Sequence, residues 1–132
     1  MKRMTFTEAY AEYGAKLRNV NWACSAITDD ESALVFSCFE DRFDHKRGNI
    51  RRYKDKLERW ENPHGRKLAR EHLRKAFEDK LPVRLVSVVL DDSKNANAKR
   101  KQCKPSVCAD EIGRVIKFDG DNFVIAFQRT EK

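Results

Sequence analysis

With 132 residues, the chain is long enough for one hydrophobic core and short for two. Apolar residues make up 40% and charged residues 37%, and the charges interleave with apolar positions, which argues against intrinsic disorder. The net charge of +7 favours anionic partners. No apolar run approaches the roughly 18 residues of a membrane-spanning helix, and no secretory leader is evident, so a soluble cytoplasmic protein without a membrane partner is expected.

In chain order, Thr5-x-x-Glu8 is a capping box. Phe6, Ala9, Tyr10, Tyr13 and Leu17 follow at helical spacing, with Gly14 a weak point. "VNWACSAI" and "ALVFSCF" read as two strands of an antiparallel hairpin joined by "TDDES". Trp22, Cys24 and Ala26 fall on one face of the first strand, and Leu34, Phe36 and Cys38 on one face of the second. From Asn49 the period changes to that of a helix, with a stripe of Ile50, Tyr53, Leu57 and Trp60. "NPHG" breaks this helix. A further helix is expected from about Arg66 to Asp79, with Ala69, Leu73, Ala76 and Phe77 inward and Arg66, Lys67, Arg70 and Arg74 outward.

"PVRLVSVVL" is apolar on both faces, as a central strand is. A long basic loop is expected at about 91–110. "IGRVIKF" and "NFVIAFQR" then flank an Asp119-Gly120 hairpin turn. The expectation is one α+β domain over 1–132, with about five mostly antiparallel strands forming a sheet or small open barrel and three flanking helices.

The positive charge is segregated: Arg42 to Lys75 holds thirteen Lys/Arg against five Asp/Glu, and Lys94 to Lys104 holds five cations and no acid. Binding nucleic acid needs such a cationic track, plus flat apolar surfaces if bases are touched. The candidate track is Arg47, Arg51, Arg52, Arg66, Lys67, Arg70 and Arg74 on the helices, with Lys99, Arg100, Lys101 and Lys104 in the loop. The candidate aromatic pocket is Trp22, Phe36, Phe39 and Phe43. A small barrel with a basic rim and an aromatic pocket is similar in outline to the PUA-like superfamily, which includes domains that read modified or flipped bases. That likeness rests on element order and on Trp22, Phe36 and Phe39, and carries over no functional residues.

Two alternatives stand beside this reading. Glu40, Asp41 and Asp44, followed by His45 and Lys46, offer carboxylates for a metal-dependent nuclease; as ordinary structure they are a solvated turn that neutralises nearby cations. A protein-interaction module with an acidic partner is the other. Cys103 and Cys108 have half-site spacing, but a zinc site needs two more ligands, so no metal or cofactor is expected. There is no Gly-x-Ser-x-Gly, phosphate loop or dinucleotide fingerprint. The expected function is therefore nucleic-acid binding, with a base reader as its sharper form, and no catalytic residue is assigned.

Overall fold

A computed structural model describes residues 5–18, 23–44, 48–59, 62–90 and 103–129. In chain order the elements are α1 (Phe6–Glu12), β1 (Ser25–Ile27), β2 (Leu34–Phe39), a 3-10 turn (Glu40–Arg42), β3 (Ile50–Lys56), a second 3-10 turn (Leu57–Arg59), α2 (Pro63–Asp79), β4 (Val83–Leu90), β5 (Cys103–Phe118) and β6 (Asn122–Arg129). The fold is α+β. Among the described residues it has six strands and two α-helices, not the five and three expected.

The strands form one sheet in the order β1-β2-β4-β5-β6-β3. Every pairing is antiparallel except β2 with β4, because the chain crosses over through β3 and α2 before returning as β4. The sheet curls until the segment leaving β2 meets the edge of β3. Phe43 bridges to Tyr53 there, and the Asp44 amide donates to the Arg52 carbonyl at 2.8 Å. The sheet is not a closed barrel.

Each helix covers one face. Leu34, Phe36 and Cys38 of β2 and Val83 and Leu85 of β4 point toward α2, where Ala69, Leu73 and Ala76 cover them. Val35, Val86 and Val88 point the other way, against Phe6, Ala9 and Tyr10 of α1. This alternation explains why β4 is apolar throughout. Cys24 packs on the α2 side and Ala26 on the α1 side, so the shared face expected for them is not formed. Phe77, expected inward, is 40% exposed and stands edge-on to the ring of Phe118 at 6.5 Å.

Local signals set several boundaries. The Thr5–Glu8 capping box forms and α1 ends at Glu12. "NPHG" starts a helix and does not break one: Asn62 accepts from the amides of His64 and Gly65, and Pro63 occupies the first turn, where its missing N–H costs nothing. The Asp-Gly hairpin joins β5 to β6, with Gly120 at φ +103°. A Cβ at Gly113 would come 2.6 Å from the Phe127 ring, so only glycine fits there.

The expected helix from Asn49 is instead β3, which pairs with β6 over its whole length. Tyr53, Asp55 and Leu57 are buried in alternation while Arg52, Lys54 and Lys56 face water. The long loop expected at about 91–110 is also corrected, since β5 begins at Cys103; its remainder, 91–102, lies outside the described residues. Pairing with β4 decides this half of β5, although Pro105 argues locally against a strand.

His72 of α2 sits 2.8 Å from the Ser25 hydroxyl, and burial, helped by the charge of Arg18 and opposed by Glu71, lowers its pKa to about 4 from 6.5. The unfolded chain therefore takes up this proton first as pH falls. Stability should be full above about pH 6.5 and decline toward about pH 4. At ~1.4 kcal/mol per pKa unit, discounted because the ring is only half-buried, the loss should be about 1–2 kcal/mol. Urea melts of H72N should show a flatter curve in that window; an unchanged acid slope would assign it to other groups.

Candidate functional site

Arg51 lies on the concave side of the sheet, not on a helical track. Its guanidinium donates to both Glu111 oxygens at 2.9 and 2.8 Å and to Glu40 at 3.0 Å. The Ser87 hydroxyl donates to the same Glu40 carboxylate, and the Phe43 ring lies under the guanidinium, 4.0 Å from centroid to Cζ. The Arg51 side chain is 18% exposed and that of Glu111 is 4% exposed. With its donors turned to these carboxylates, Arg51 acts as a structural clasp inside the fold and is not part of an exposed phosphate track. Position 51 faces inward because β3 alternates with a period of two.

The acidic cluster does not converge. Glu40 turns inward to Arg51, whereas Asp44 pairs with Lys54 at 2.9 Å outside, and Asp41 is exposed. Among the described residues no three His, Cys, Asp or Glu side chains gather as a metal site. Burial, with the charge of Glu111 adding to it, pushes the Cys108 thiol up to about 11, so it stays protonated at neutral pH.

The expected aromatic pocket is also corrected. Phe36 is fully buried, edge-on to Phe123 at 5.4 Å. Phe43 packs on Tyr53 and Phe127, and Phe39 packs against the cluster on the α1 side. These three rings fill the core or its margins because β2 is covered on both faces. Trp22 lies outside the described residues.

Two other rings, Phe77 and Phe118, line a cleft. The cleft holds about 640 Å³ and is walled by these rings, Phe123, Ile116 and Val124, with Arg42, Lys54, Lys56 and Lys117 around it and Asp55 and Asp119 among its acids. Both acids are engaged by the protein. Asp55, 8% exposed, accepts from the Tyr53 hydroxyl at 2.6 Å and the Lys56 amide at 2.9 Å. Asp119 accepts from the amides of Asp121 and Asn122, and these bonds lower its pKa. Lys54 and Lys56 have ion-pair partners in Asp44 and Glu58, but each of the four side chains is about half or more exposed, so these pairs are weak. Helical periodicity passes over this cleft because it places Phe77 on the core stripe. The available signal was its place in the last turn of α2, one residue beyond Ala76 on the stripe's edge.

α2 carries four cations of the expected track. Lys67 and Arg74 are exposed and Arg66 and Arg70 half-buried. Arg70 Nε donates to the Gly120 carbonyl at 2.8 Å, pinning α2 to the β5–β6 turn whose Asp119 and Asn122 border the cleft. Glu71, Glu78 and Asp79 intervene along this face, which moderates its positive field. Arg52 is exposed on the convex side of β3. Arg47, Lys99, Arg100, Lys101 and the Lys104 side chain lie outside the described residues.

A second cleft, of about 690 Å³, has the opposite character. Glu12, Asp29 and Asp30 stand with Arg84 around it, and the Arg84 guanidinium is stacked over Tyr13 at 4.8 Å and donates to the Ala109 carbonyl at 3.0 Å. Three carboxylates against one cation disfavour an anionic ligand there, so of the two clefts the Phe77–Phe118 one suits an anion.

Replacing Arg51 by Met should cost about 3 kcal/mol of stability, because it strands the buried Glu111 carboxylate. Adding Glu111→Gln should recover part of that loss, a coupling of about 1–3 kcal/mol in a double-mutant cycle by urea denaturation. Strictly additive effects would show that the two side chains act independently.

No protein-family description, curated protein or solved structure matches this chain.

Proposed function

We propose that this protein is a nucleic-acid-binding domain that works in the cytoplasm. The observation that carries the reading is the conjunction of one aromatic cleft with a surrounding set of cations. Phe77 and Phe118 offer apolar ring surface beside Arg42, Lys54, Lys56 and Lys117. The contact of Arg70 with Gly120 makes the cationic side of α2 continuous with that cleft. Cations supply sequence-independent affinity for phosphates, and aromatic rings supply a surface for bases.

The base reader, and with it the likeness in outline to the PUA-like superfamily, is the sharper form of this proposal. Its support is the open, curled sheet with a helix on each face; of the residues behind the likeness, Phe36 is enclosed in the core, Phe39 packs against the α1-side cluster, and Trp22 lies outside the described residues. The inward turn of Glu40 to Arg51, away from the exposed Asp41 and Asp44, favours binding over the nuclease alternative, because the three carboxylates do not converge on one cation position.

Binding to random-sequence oligonucleotides, measured against salt, tests the proposal. Affinity should fall steeply with salt, and K67Q/R74Q should reduce the slope of log K against log salt by roughly 1.4 on single strands if both side chains meet a phosphate. Both side chains are exposed, so folding should be unaffected. Salt-insensitive binding, or none, would overturn the reading. So would Mg²⁺-dependent cleavage by the wild type that is lost in D41A.

A further inference from the structure

We infer that the Phe77–Phe118 cleft receives a single unpaired nucleotide, its base against the aromatic rings and its phosphate among Lys54, Lys56 and Lys117, so that the domain prefers single strands to duplex. This rests on the nucleic-acid reading and names the ligand of that same site.

Size is the first argument. About 640 Å³ lies within the roughly 300–1,000 Å³ of small-molecule sites, ample for one nucleotide and far too small for a duplex. Shape is the second. The two rings meet at 65° with centroids 6.5 Å apart, so they form a corner and not a slot. A flat base laid on one ring meets the edge of the other, the offset that aromatic quadrupoles favour.

Exposure is the third argument. Phe77 and Ile116 are 40% and 43% exposed, although each is a large apolar side chain on a regular element. A base would cover such surface. Charge is the fourth. The four cations outnumber the two carboxylates at the cleft, and those carboxylates already accept hydrogen bonds from the protein's own amides and the Tyr53 hydroxyl. A purely apolar ligand would make no use of the four cations, of which Lys54 and Lys56 are engaged in exposed, weak ion pairs with Asp44 and Glu58, and a bare phosphate would leave the rings uncovered.

Strand preference follows from access. A paired base has both faces stacked and must be pulled out at a cost, whereas a single strand presents faces that are already open. Each base–aromatic stack accounts for about tenfold to hundredfold in affinity.

The test compares a short single-stranded oligonucleotide with the same sequence as duplex, using fluorescence anisotropy at fixed salt. Wild type should bind the single strand more tightly, with a mixture of nucleoside 5′-monophosphates displacing it better than inorganic phosphate or nucleosides do. F77A should weaken single-strand binding about tenfold or more and leave duplex binding unchanged, while F77W should retain it. If F77A lowers the melting temperature, K117Q serves instead; it should weaken the nucleotide but not the nucleoside. Equal affinity for both strand forms, equal losses on both in F77A, or displacement by phosphate alone would overturn the inference. If F77A binds like wild type while K67Q/R74Q binds weakly, the cleft assignment fails and the nucleic-acid reading survives. Absence of all binding removes both.

Discussion

Arg51 carries a positive charge into the concave side of the curled sheet, and that placement holds together elements that backbone pairing leaves apart. β3 pairs along its length with β6, and its other edge meets the segment after β2 by backbone contact at Arg52 and Tyr53 alone among the described residues. Through Arg51 it is also tied to Glu111 of β5 and to Glu40 in the turn after β2, and Glu40 is tied in turn to Ser87 of β4. Burying such a group costs desolvation that only close, multiple partners offset. The guanidinium's planar fork suits this task, since it engages both Glu111 oxygens and Glu40 while resting on Phe43.

From that clasp the geometry passes to the cleft through Tyr53. Its hydroxyl accepts from the Phe39 amide at 3.4 Å and donates to Asp55, whose other oxygen holds the Lys56 amide. One wall of the cleft is thus fixed by hydrogen bonds that start at the end of β2. The opposite wall is fixed by α2, which packs Ala69, Leu73 and Ala76 on the sheet and is pinned at Arg70 to the β5–β6 turn. α2 thereby both closes the core and sets Phe77 at the cleft's edge. A rigid scaffold around a partly apolar opening is what preorganised binding asks for.

The charges divide by location. Cations gather near the Phe77–Phe118 cleft, whereas the cleft beside Tyr13 and Arg84 is edged by Glu12, Asp29 and Asp30. A net charge of +7 is therefore a poor guide to where an anion would settle, because some of its cations, Arg51 above all, are consumed within the fold. Steering depends on the field of the exposed groups and not on the total.

The sequence by itself determined the elements whose signals are local. The capping box at Thr5, the alternation of β2, the doubly apolar β4, the amphipathic stripe of α2 and the Asp-Gly turn before β6 each follow from neighbours a few residues apart. Tertiary structure decided the rest. β3 reads as a helix because two of its inward positions, Arg51 and Asp55, are charged and hide the period of two, while Ile50, Tyr53 and Leu57 imitate a helical stripe. Its strand form rests on residues outside the segment: the β6 ladder and the Asp44 amide bond its backbone, and Glu40 and Glu111 hold Arg51 inward. The same holds for the first half of β5, stabilised by β4 despite Pro105, and for the cleft. Phe77 is exposed because α2 meets the sheet through Leu73 and Ala76, and its neighbour Phe118 comes from 41 residues further along the chain. Periodicity reports which side of an element a residue occupies; which other element covers that side is fixed by long-range packing.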